Sequence, residues 1–106
     1  MILRNFRTYQ VAKEFYKECE ALRLPHHIKY QLSRASLSIV NNLAEGSARH
    51  TIKDRAHFYR IALASYRESC AMLEVSNNLN TLRKYDCLGA YLFNLHKFTL
   101  KSSNSP

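Results

Sequence analysis

Apolar side chains recur every three to four residues through most of this chain, the spacing that lines one face of an α-helix. From about Thr8 to Leu24 the stripe is Ala12, Phe15, Tyr16, Cys19 and Leu22. Pro25 predicts its end, because the residue before a proline is pushed out of helical backbone. A second stripe starts near His26 and runs through Ile28, Leu32, Ala35, Ile39 and Leu43. Gly46 follows, the residue type that most easily turns left-handed just beyond a helix. Thr51, with Asp54 three positions on, reads as an N-cap with a weak form of the capping box. The helix it opens is predicted from Ile52 to about Asn78, a rod of roughly 40 Å. The polar run SNNLNT, residues 76–81, breaks the pattern. A fourth segment, about Arg83 to Lys101, places Leu88, Tyr91, Leu92, Leu95 and Phe98 at helical spacing despite Gly89. The tail at 102–106 is expected to fray.

Four amphipathic segments with short connections predict an all-α fold, an up-and-down four-helix bundle filling residues 1–101 as one domain. Composition agrees: two Gly and two Pro in 106 residues leave few turns for a sheet protein, and 46% hydrophobic with 23% charged residues is a globular balance. A core of this size is modest, so self-association would bury more surface. VNNL at Val40 and SNNL at Ser76 echo each other with no longer repeat behind them, and read as coincidence. No window approaches the roughly 18 apolar residues of a membrane span, and the opening MILRNFRTYQ is too short in its apolar run for a secretory signal. Cys19, Cys70 and Cys87 form no CxxC pair, which suggests neither a disulfide framework nor a zinc site. A soluble, cytoplasmic protein is expected.

Charge changes the picture. Sixteen Lys and Arg against eight Asp and Glu give a formal +8 at pH 7 and a pI near 9.7. That field favours polyanions, nucleic acid first and an anionic membrane surface second. Residues placed 100° apart divide the third helix into three sectors. Phe58, Ala62, Ser65, Ser69, Met72 and Ser76 are assigned to the core. Tyr59, Leu63, Tyr66 and Cys70 form a second side, which a single four-helix layer leaves uncovered, and which is therefore a candidate oligomer or partner interface. Lys53, His57, Arg60, Ala64 and Arg67 form the third, with three permanent cations stepping about 10 Å along one line.

Such a row can neutralise phosphates, and aromatic faces can stack on unpaired bases. Arg49, His50 and Lys53 crowd the helix start, where free N–H groups already attract anions and cations are mildly disfavoured. The expected nucleic-acid contacts are Arg49, Lys53, Arg60 and Arg67, with Arg55 and His57 assisting. Plainer readings stand beside these: a solvated polar face, Tyr59 and Tyr66 completing the core, Cys70 as packing, and Arg49 complementing the negative end of the preceding helix.

An enzyme is not expected. GxGxxG, GxxxxGK[ST] and GxSxG are missing, and adjacent His26 and His27 point apart on a helix, which fits a capping or surface role rather than a shared metal. Glu45 reads as a buried pairing partner for an arginine such as Arg34, with no second carboxylate or nucleophile at helical spacing. No cofactor is implied.

The stretches RASLSIVNNLAEGSAR (34–49) and RAHFYRIALASYRES (55–69) resemble the four-helix-bundle family encoded in intervening sequences of bacterial 23S ribosomal RNA genes. Members show an SIxxNIAEG-like helix end, matched by Ser38, Ile39, Asn42, Leu43, Ala44, Glu45 and Gly46. A helix reading like FxRFLxIAxGSxxE follows, matched by Phe58, Arg60, Ile61, Ala62, Ser65 and Glu68. FRTYQVAKEFY is similar to the family's first helix, so the resemblance covers about Phe6 to Leu79. Members often carry Pro at the position of Val40 and Gly at that of Ala64, departures that bear on packing more than on charge. The same fold family includes the accessory variability determinant of diversity-generating retroelements, a basic pentameric ring that binds the reverse transcriptase and nucleic acid. The resemblance therefore implies a non-catalytic homopentamer with nucleic acid as partner. The alternative is a protein-interaction module that docks a reverse transcriptase or another partner through the aromatic sector. Membrane association ranks third and requires an apolar face left exposed on a basic helix.

Overall fold

The computed structural model describes residues 6–103, with side chains placed as far as Lys101. It contains five helices: α1 (Arg7–Ala21), α2 (His26–Ala48), α3 (Ile52–Val75), α4 (Leu79–Lys84) and α5 (Asp86–Ser103). The all-helical expectation holds, with no strand among the described residues. The long helices lie side by side in a body of 49 × 22 × 21 Å. The α2–α3 pair packs most extensively, followed by α3–α5 and α1–α2, and a thinner α1–α5 contact closes the bundle. Hence α2 and α5 occupy opposite corners, and α3 lies between them.

The boundaries follow local chemistry. Helix α1 stops at Ala21, short of the predicted Leu24. Its exposed end is held by Lys29 of α2, whose Nζ donates to the carbonyls of Leu22 at 2.7 Å and Cys19 at 3.4 Å, and also to that of Glu20. A cation at a helix C-terminus satisfies carbonyls that lack a partner within the helix and complements the dipole. Thr51 caps α3 as expected, its Oγ1 accepting from Asp54 N at 3.1 Å.

Two sequence expectations are corrected. Gly46 does not lie beyond its helix: α2 continues to Ala48, and neither glycine has positive φ. The left-handed residue is Asn77, φ 62°, after α3. The N–H of Asn78 bonds to Leu73 O at 2.8 Å and that of Asn77 to Glu74 O at 3.0 Å. This is the paired closure of a Schellman end, with Asn replacing Gly. The run 76–81 is also not all connection, because Leu79 to Lys84 form α4 and divide the predicted four segments into five helices. Residues 102 and 103 of the predicted frayed tail belong to α5, and residues 104–106 lie outside the described part.

Phe15, Leu32, Ile39, Leu43, Leu73, Leu88 and Leu92 are fully buried. Each contributes about 1.5–3 kcal/mol relative to an exposed side chain. The Phe15 ring packs against Tyr66 and Tyr85, with centroids 5.8 and 5.3 Å away. Of the assigned core sector of α3, Ala62, Ser65 and Ser69 are buried, while Phe58, Met72 and Ser76 are half-buried.

Candidate nucleic-acid interface

Helix α3 presents Lys53, His57, Arg60, Ala64 and Arg67 to solvent, all exposed. Spaced by two turns, Lys53, Arg60 and Arg67 step about 10 Å along one line. Two ion pairs occur among the described residues, Arg49–Glu45 and Lys84–Glu18, and neither involves this row. Arg60 Nη2 lies 3.4 Å from His57 Nδ1, a contact that orients both heads along the helix. Glu68 is the nearby carboxylate, sharing a shallow depression with Arg60, Ile61, Ala64 and Ser65.

Helix α5 adds a residue that the sequence reading missed. His96 faces α3, and together with Leu100 it closes a groove of about 400 Å³ against Lys53, Ala56, His57 and Arg60. Burial lowers the pKa of His96 from its ordinary value, and the positive Arg60 adds to the effect. Both effects favour the neutral imidazole. Only tertiary packing brings it to the row: along α5 it follows the apolar Leu92 and Leu95, which gave no hint of charge nearby.

The other predicted contacts are occupied differently. Arg49 terminates α2 and pairs with Glu45 one turn back, and its guanidinium stacks over the Phe58 ring, 4.6 Å from the centroid. The Arg49 Nε is buried without a hydrogen-bond partner. The plainer reading of Arg49, a cation complementing a helix C-terminus, describes it better than a free phosphate contact. Glu45 is correspondingly not the enclosed partner of Arg34; it is exposed, and Arg34 lies over the Tyr30 ring instead. Arg55 Nε donates to Arg49 O at 2.8 Å, so this side chain braces the α2–α3 connection. His50 is exposed beside it, as are His26 and His27 at the start of α2.

The second sector of α3 is corrected outright. Tyr59, Leu63 and Tyr66 are 4%, 7% and 8% exposed, in the chain's own core, and Cys70 is half-buried. The reason is geometric: α2 and α5 both pack on α3, so two of its sides are covered within one chain. Burial first, then a hydrogen bond with Cys70, drives the Tyr66 phenol far above its ordinary pKa, and its O–H donates to Tyr85 O at 3.1 Å. Tyr59, Leu63 and Tyr66 therefore offer almost no surface to a partner.

The two sequence stretches that carry the family resemblance face each other across the α2–α3 contact. Ser38 Oγ and Ser65 Oγ are 2.8 Å apart, and Asn42 Nδ2 donates to Ser38 O at 2.8 Å and to Ser38 Oγ at 3.0 Å. Gly46 lies directly beneath Tyr59 and Phe58. The motif residues Ser38, Asn42, Gly46 and Ser65 thus build the bundle, while Arg60 of the second motif belongs to the basic line along its outside.

Fold and site together define an all-helical bundle whose longest helix carries an outward row of cations. The chain belongs to the 23S rRNA-intervening sequence protein family, whose sequence model matches residues 4–96. No curated protein and no solved structure gives a significant match. Among the described residues no helix is long and apolar enough to cross a membrane, and no group of three or more His, Cys, Asp or Glu side chains is placed to hold a metal ion.

Proposed function

We propose that this protein is a non-catalytic, cytoplasmic nucleic-acid-binding adaptor that grips phosphates through Lys53, Arg60 and Arg67, with His57 assisting. The observation that carries the reading is the row itself: its three permanent cations are exposed and none forms an ion pair among the described residues. The formal +8 of the chain supplies the long-range attraction. Phosphate contacts of this kind release counterions, so binding to structured RNA weakens steeply with salt. A salt titration tests this, and affinity that ignores salt refutes it. The pair Arg60→Glu and Arg67→Glu weakens binding to all sequences alike while leaving the melting curve in place.

Self-association belongs to the same proposal. A ring, pentameric by analogy with the retroelement accessory proteins, needs two different patches that meet head to tail. Exposed Leu37 on α2 and Phe93 on α5 lie at opposite corners of the bundle and suit that geometry. Light scattering after gel filtration reads the assembly: Leu37→Glu dissociates it, and a wild-type monomer at high concentration removes the ring. Docking of a reverse transcriptase would have to use such outward residues, since the tyrosine sector is enclosed.

A further inference from the structure

We propose that the groove between α3 and α5 seats one unpaired nucleotide, so that this protein selects single-stranded segments over duplex. The inference rests on the nucleic-acid reading above and adds a site to it. The groove joins two chemistries. Its lining includes Lys53 and Arg60, which suit a phosphate, and the apolar Ala56 and the exposed Leu100, which do not. A bare anion leaves the apolar part of the lining uncovered. A duplex offers phosphates, but its base faces are already stacked. An unpaired nucleotide has both parts, an apolar base face and a phosphate one bond system away.

His96 and His57 supply planar rings on the two sides of the opening, and imidazole is among the side chains on which exposed bases stack. Burial and the neighbouring Arg60 both favour the neutral His96 ring, which suits a stacking role. The volume, about 400 Å³, is in the lower part of the range for small-molecule sites and matches a single nucleotide better than a larger ligand. Arg67, two turns beyond Arg60 and outside the groove, is left to hold the adjoining backbone. The α3 tyrosines that first suggested base stacking are buried, which leaves His57 and His96 as the rings lining this groove beside the cations.

Fluorescence anisotropy with the full chain tests the site. The probes are two labelled hairpins with equal numbers of phosphates, one blunt and one with a short unpaired tail, each made in RNA and in DNA. The tailed form binds about tenfold more tightly in at least one backbone, and that backbone is the natural class. His96→Ala abolishes the preference while retaining affinity for the blunt hairpin and its salt slope. If His96→Ala does not fold, His57→Ala, on the exposed rim, reduces the preference in the same assay. Equal affinity for both probes, or a preference that survives these substitutions, overturns the groove but leaves phosphate binding standing. Failure to bind either probe overturns both.

Discussion

Replacing Gly46 with alanine sets two measurable effects against each other. Gly46 has ordinary helical backbone within α2, so alanine gains up to about 1 kcal/mol from helix propensity. The added Cβ, however, would meet Tyr59 Cε1 at 2.7 Å, Tyr59 Cδ1 at 2.9 Å and Phe58 Cβ at 3.2 Å. Carbon atoms pack best at about 3.5–4.0 Å, so the ring must retreat by roughly 1 Å. Tyr59 has little room to do so, being 4% exposed, with the Phe6 ring set edge-on at a centroid distance of 6.5 Å. Overpacking of this kind costs about 1–3 kcal/mol. The net effect is a loss of about 1 kcal/mol, or a fall in Tm of about 4–8 °C for a domain of this size.

Urea unfolding followed by circular dichroism measures it, and a double-mutant cycle isolates the cause. In a Tyr59→Leu background the ring is gone, and Gly46→Ala should become stabilising by up to about 1 kcal/mol. A sign change between backgrounds is the signature of close approach. If Gly46→Ala stabilises the wild-type chain, or has the same effect in both backgrounds, the account of Gly46 as a contact residue is wrong.

Lys29→Met keeps the aliphatic stem but removes the donor to three carbonyls at the end of α1, and should cost about 1–2 kcal/mol in thermal unfolding; an unchanged Tm refutes the cap. With a thiol reagent at pH 8, exposed Cys87 reacts first, whereas Cys19, buried and pushed up to about 12, reacts only on unfolding. Equal labelling of the two by mass spectrometry would contradict the burial. Because His96 titrates lower in the folded chain, the unfolded chain takes up its proton first as pH falls below about 6.5. Stability therefore drops across that interval and levels once the folded imidazole is also protonated; His96→Gln flattens this part of the profile, and an unaltered profile removes the argument that packing against α3 disfavours the charged ring.

Helix content was legible because it depends on spacing, which the chain displays directly. The break between α1 and α2 was marked by Pro25 and the start of α3 by Thr51, residues whose effect is local. Errors arose where one local signal had two physical meanings. Glycine marks a left-handed turn or a close approach, and at Gly46 the second applies, a distinction that depends on where Tyr59 lies in another helix. Asn77, which does turn left-handed, looked like one polar residue among several. The short α4 escaped notice because six residues are too few to display a period.

The candidate site divides along the same line. The row from Lys53 to Arg67 lies on one helix, so a helical wheel was enough to find it. Whether Tyr59 and Tyr66 face outward depends on how many neighbours α3 has, and the wheel contains no such information. Two neighbours rather than one turn the tyrosines into core, and the second neighbour, α5, brings His96 and Leu100 to the other side of the cations. A single packing relation thus removes the aromatic surface from one side of α3 and creates a groove with a partly apolar lining on another. Base recognition in this groove therefore depends on α5. Loosening the α3–α5 contact, for example with Leu92→Ala at a fully buried position, should reduce discrimination between tailed and blunt probes before it reduces salt-dependent affinity. Parallel loss of both would mean that the row and the groove are not separable.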